Sequence, residues 1–167
     1  MARAVARDDD RRAGRAVEEL VRGVVQWRDR YAHLVEHFSR RGANRDPVAR
    51  AVLALALHEL LVHAGTPAYA TIHQAGELLR AEGKTRLVGY VNGVLQAVRR
   101  HVERQGGDPL SALRPLFDDP DAATALATWW SHPRWLVTRW LERFGRDDTE
   151  SLLVHQNRRP PVTLHVL

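Results

Sequence analysis

The chain contains no cysteine in its 167 residues. That excludes disulfide scaffolds, thiolate zinc sites and every cysteine nucleophile. No apolar run approaches the ~18 residues that a membrane-spanning helix needs. The opening MARAVARDDDRR reaches an acidic cluster without a hydrophobic stretch, so no signal peptide is expected and the expected compartment is the cytosol. There is no G-x-S-x-G elbow, no P-loop and no G-x-G-x-x-G turn, which removes the usual local signatures of serine hydrolases, nucleotidases and dinucleotide enzymes. Lysine is almost missing as well: 24 of the 25 basic side chains are arginine and only Lys84 is not.

What is present is positive charge, unevenly spread. Against 20 acids the net charge is +5. Residues 1–107 carry 18 bases and 12 acids, whereas residues 108–167 carry 7 and 8. Arginine suits bidentate phosphate recognition, and it is also what GC-rich coding produces without selection for binding. A polyanionic partner would meet the first two-thirds of the chain.

The hydrophobic period is helical. Asp8–Asp10 offer N-caps, after which Val17, Leu20, Val21, Val24, Trp27, Tyr31, Leu34, Val35 and Phe38 recur at three-and-four spacing, as one helix or as two with a break near Arg28-Asp29. Asp46-Pro47 reads as a cap followed by proline at the first helical position. The next segment, to Ala64, is apolar almost all round and is therefore expected at the centre. Two further helices are expected, one from Thr66-Pro67 to Glu82 and one from Arg86 to Arg104. These segments make an all-α bundle over residues 11–105, with residues 1–10 as a tail.

After Gly106-Gly107 short helices are expected at Asp108-Pro109, Asp119-Pro120 and Ser131-His132-Pro133. Trp129, Trp130, Trp135 and Trp140 either stack bases or, the reading preferred here, form a small core that pins this segment. Val162–Val166 alternates like a terminal strand without a partner.

Three constellations are candidates for chemistry or binding. His33-Leu34-Val35-Glu36-His37 fits H-x-x-E-H, in which two histidines share a helix face and the glutamate serves as base. It is short, lacks a third ligand, and reads better as a polar helix face. His58 and His63 are five residues apart, so they leave one face of a helix and are set aside. The basic clusters weigh most: Arg11, Arg12, Arg15 and Arg22 near the first helix start, Arg40, Arg41 and Arg45 around a helix end, and Lys84, Arg86, Arg99 and Arg100 on or beside another helix. Such clusters can track a phosphate backbone, or can simply sit on helix dipoles.

The stretches PAYATIHQAGELLR from Pro67 and LVGYVNGVLQAVR from Leu87 resemble the NusB-type RNA-binding helical domain. His132-Pro133-Arg134-Trp135-Leu136 with Arg139, then Asn157-Arg158-Arg159-Pro160-Pro161-Val162-Thr163-Leu164, resemble the N-terminal region of RsmB/Sun-type 16S rRNA cytosine-5 methyltransferases. The resemblance covers residues 15–167. It implies a NusB-like helical bundle, a short helical linker over residues 106–167, and the start of a truncated RRM-like or methyltransferase region. It also implies RNA as partner, rRNA in particular, or a protein of transcription antitermination or ribosome assembly.

The sequence departs from the family in three places. The missing cysteine and SAM loop leave the methyltransferase reaction outside this polypeptide, so no enzyme activity, cofactor or metal is expected. The first helix starts too late for the family's arginine-containing RNA helix, and Gln74 stands where the pattern has an acid.

Overall fold

The computed structural model describes residues 2–39, 45–62 and 66–159, with side chains from residue 14 onward. Among them every regular element is helical: α1 (Ala2–Gln26), α2 (Arg28–Phe38), α3 (Pro47–Val62), α4 (Ala68–Ala81), α5 (Val88–Gln105), α6 (Pro109–Leu113), α7 (Ala122–Trp130) and α8 (Arg134–Gln156). Short 3₁₀ turns precede α5 and follow α6. No helix among the described residues is long and apolar enough to cross a membrane. The strand expected over 162–166 lies outside the described residues.

The expected caps form where side chain and proline cooperate. Asp46 Oδ1 accepts from Val48 N at 3.0 Å, and Asp108 Oδ2 from Ser111 N at 2.8 Å. Two expectations are corrected. Helix α1 runs from Ala2 straight through Asp8–Asp10, so those aspartates lie inside a helix instead of opening one. The cap of α7 is Asp121, which takes the N–H groups of Ala123 and Thr124, while Asp119 only accepts from Asp121 N at 2.8 Å. The first amphipathic stretch is two helices, broken at Trp27 (φ −106°, ψ 21°); Asp29 follows in the first turn of α2 without capping it.

Helix α3 is central, packing against α1, α2, α4 and α5, as its all-round apolarity requires. Its approach to α1 depends on Gly23, above which the ring of buried His58 lies; any Cβ there would overlap that ring. Burial raises the pKa of Tyr31, keeping the phenol protonated, and its hydroxyl is hydrogen-bonded to His58 Nδ1 at 2.7 Å. The main core does not end with the bundle at residue 105. Leu113, Phe117 and Trp129 belong to it together with Leu34, Leu53 and Leu95. A second cluster joins Ala123, Leu126 and Ala127 of α7 to Val137 and Leu153 of α8, and Trp130 packs on both.

Two features position the C-terminal part. Helix α8 is interrupted at Gly145, whose φ of 74° and ψ of −178° are open essentially to glycine alone; the break lets Val137 and Leu153 reach the same cluster. Arg30, 2% exposed, lies between Trp27 and Trp129, its guanidinium carbon 3.9 Å from each ring centroid. Its Nε donates to the Trp129 carbonyl at 2.7 Å, and burial pushes its pKa down to about 10. Aromatic faces take the place of a carboxylate there.

Candidate nucleic-acid interface

The structure sorts the basic residues into three groups. On α1, Arg15 and Arg22 are exposed. Seven residues is close to two helical turns, so they share one face. Arg11 and Arg12 lie on the same helix, but their side chains fall outside the described set. At the end of the bundle where α3 starts, Lys84 Nζ meets Asp46 Oδ2 at 2.8 Å. That ion pair, chiefly through the Lys84 hydrogen bond, lowers the pKa of Asp46. It draws the Thr85–Leu87 turn to the start of α3 and gathers exposed Arg45 and Arg86 around a neutralised pair. Arg40 and Arg41 lie outside the described residues.

The third group stands apart. From Val88 to Arg100 helix α5 rises roughly 18 Å at ~1.5 Å per residue. Arg100 is exposed, whereas Arg99 is half-buried with Nε 3.4 Å from Glu103 Oε1, too poorly aligned for a hydrogen bond. Lys84 and Arg99 are thus partly committed, and among the described side chains Arg15, Arg22, Arg45, Arg86 and Arg100 are the exposed cations of the expected set.

The histidine pattern on α2 gathers no third ligand among the described residues. His33 Nε2 bonds the Leu116 carbonyl at 2.9 Å with its ring against Phe117, and the His37 ring packs on Phe38. Of the four clustered tryptophans, Trp129 is buried and Trp130 and Trp140 are half-buried packing residues, as the core reading required. Trp135 corrects that reading: it is 67% exposed.

Sequence reasoning missed a cleft of about 540 Å³ where the α1–α2 break, the α7–α8 turn and the end of α8 converge. Gln26 Nε2 donates to both the carbonyl and Oδ1 of Asn157, at 2.7 and 2.9 Å. Asn157 Nδ2 in turn donates to the carbonyls of Trp130 and Leu153, and His132 Nδ1 donates to Trp130 as well, at 2.8 Å. Around this network stand Arg28 and Arg158, both exposed. The Asn157-Arg158-Arg159 run was a visible basic signal; its partners 131 residues earlier were not.

Comparison with known proteins bears on what this surface belongs to. The NusB family pattern matches residues 3–100. The chain belongs to the NusB family. A second pattern, the Methyltr_RsmF/B-like, ferredoxin-like domain, matches residues 132–166 of this NusB-family chain. Among curated relatives, the probable ribosomal RNA small subunit methyltransferase B of Bacillus subtilis (strain 168) is 29% identical over 89% of the chain. The protein of the same description from Synechocystis sp. is also 29% identical over 89% of the chain. The transcription antitermination protein NusB of Solibacter usitatus is 39% identical over 56% of the chain and 64% of its own length. The NusB-family chain spans 31% of the length of the two methyltransferase relatives. No solved structure matches it significantly.

Proposed function

We propose that this NusB-family chain is a non-catalytic RNA-binding module directed at ribosomal RNA, acting in the cytosol. In this reading residues 1–10 are an N-terminal extension, residues 11–105 the bundle, and residues 106–167 a helical linker leading into a region of the ferredoxin-like, methyltransferase-associated kind. One observation carries the reading. Arg45 and Arg86, contributed by separate segments, are brought to one end of the bundle by the Asp46–Lys84 pair, in a family whose relatives here include ribosomal RNA methyltransferases. Exposed arginines contact phosphates without reading sequence, so affinity comes from counterion release and falls with salt. The absence of cysteine supports the non-catalytic assignment, since cytosine-5 methylation of the kind the resemblance implies attacks the ring with a thiolate.

Titration of a 16S ribosomal RNA fragment from low to moderate KCl tests this reading. Micromolar or tighter binding that weakens steeply with salt is expected; no binding at the lowest salt refutes it.

A specific observation supports a second reading, docking onto a transcription or ribosome-assembly protein. Val17, Val21 and Val25 of α1 are 59, 51 and 65% exposed and follow one another at four-residue steps, an apolar stripe of the kind that partner helices cover. Co-purification that survives ribonuclease would favour it.

A further inference from the structure

The cleft at the α1–α2 break is assigned to neither the bundle's expected basic clusters nor the chain's similarity to its relatives. We infer that it holds a phosphodiester segment of an RNA strand, with Arg28 and Arg158 contacting the phosphate, and that the strand continues along α1 past Arg22 and Arg15. This inference rests on the RNA-binding reading and gives it a place.

Three observations carry it. First, the cleft's shape is fixed by hydrogen bonds between distant segments. Asn157 is bonded to Gln26 on α1 and to the Trp130 carbonyl on α7, and Ser131 Oγ accepts from Arg30 N at 3.1 Å. A cleft of about 540 Å³ lies in the ~300–1,000 Å³ range of ligand sites, and a prearranged one spares the cost of ordering side chains on binding.

Second, its polar groups are donors of the kind phosphate oxygens take. Arg158 has no carboxylate partner among the described residues. Arg28 has only its exposed neighbour Asp29, at 3.2 Å, its own side chain remaining 76% accessible.

Third, the charge does not stop at the cleft. Residues 15, 22 and 26 lie within about 40° of one another around α1, and Gln26 is the residue bonded to Asn157. Residues 157–159 therefore lie along the arginine-bearing flank. The Arg159–Glu19 pair at 3.1 Å follows the same course and neutralises the acid there. Among the described side chains Glu18 and Asp29 are the remaining acids here, against Arg15, Arg22 and Arg158, which have no ion-pair partners among the described residues. A mononucleotide would use the cleft alone, whereas a strand uses the cleft and the roughly 10 Å of helix from residue 22 to residue 15.

The test compares two double variants that remove equal charge from exposed positions: Arg28→Gln/Arg158→Gln in the cleft and Arg143→Gln/Arg146→Gln on α8, which do not line it. The probe is a short fluorescein-labelled single-stranded RNA, and the same sequence as a hairpin, read by anisotropy from low to moderate KCl. The cleft pair should weaken single-strand binding by about tenfold or more and lower the salt slope by about 1.4, at ~0.7 for each phosphate no longer neutralised. The α8 pair should change affinity by less than about threefold. Arg158→Glu alone should reproduce the loss, and all variants should melt within about 2 °C of wild type. Wild-type affinity in the cleft pair, or an equal loss in both pairs, overturns the inference and leaves RNA binding standing. Failure of the unmodified chain to bind either RNA at the lowest salt overturns both.

Discussion

Replacing Gly23 by alanine should destabilise the protein far beyond what a helix-interior glycine ordinarily implies. The position is buried, and a Cβ would overlap the His58 ring. His58 cannot easily yield, because it is itself buried and bonded to the Tyr31 hydroxyl, 1% exposed on the far side. Forcing an extra carbon into a packed interior costs ~1–3 kcal/mol. If the ring moves instead, the Tyr31 hydroxyl is left without its partner, which costs a further ~1–3 kcal/mol. Alanine returns about 1 kcal/mol of helix propensity. The net expectation is a loss of about 1–5 kcal/mol, and at ~2–4 °C per kcal/mol for a domain of this size the thermal midpoint falls by roughly 2–20 °C.

Gly14 provides the internal control: it lies on the same helix, and a Cβ placed there would have nothing within 4 Å, so Gly14→Ala keeps the propensity gain and melts at or above wild type. Differential scanning calorimetry of the two variants, with Gly23→Ala/His58→Ala as a third, measures all of these contributions. The double variant should lose less than the sum of its parts, since removing the ring removes the clash. A Gly23→Ala protein that melts with Gly14→Ala would refute the packing argument outright.

Local geometry sets three further expectations. Asp121 is held at a pKa of about 2, below its ordinary 3.8, first by the Thr124 hydroxyl and then by Arg134; because the folded value is the depressed one, its contribution is present above about pH 4 and is lost as pH falls toward 2. Asp121→Asn should therefore flatten the acid limb of a melting-temperature profile between those values, and an unchanged limb would show that the cap contributes nothing. Gly145→Ala places a side chain at φ 74°, ψ −178° with open space around it, so the cost is backbone strain of ~1–3 kcal/mol, and a midpoint equal to wild type in urea would contradict it. Trp129→Ala should cost ~3–5 kcal/mol, whereas Trp135→Ala, at a 67% exposed site, should leave the midpoint within about 2 °C; equal losses would place Trp135 in a core that the structure does not show.

The parts legible in the sequence were those governed by neighbours in the chain. Asp46-Pro47 announces its own cap, Gly83 and Gly106 sit at positive φ after the helices they follow, and the apolar girth of α3 marks it as central. Side chains that act across the fold left no such mark. Arg30 reads as one more arginine in a basic chain, and nothing near it in sequence indicates that Trp129, 99 residues on, will stack against it. His58 could be excluded from a metal pattern by its spacing, but its partner Tyr31 and the glycine beneath it become visible only once α1, α2 and α3 are packed. The same limit applies to the interface. Arg45 and Arg86 could be named as basic residues, but the Asp46–Lys84 bond that gathers them is a tertiary contact. Arg28 and Arg158 were passed over because the cleft exists only where residues 26 and 157 meet.

The hydrogen bonds of Asn157 have a mechanical consequence. A polypeptide that leaves a domain through a loose linker explores a volume growing with linker length, and whatever it carries must find its orientation anew at each encounter. Here the backbone and side chain of Asn157 are anchored to two different helices, two residues before Arg159 is tied to a third point on α1. Asn157 and Arg159 thus take a fixed bearing from the bundle, and whatever follows Arg159 begins from an origin set by the fold.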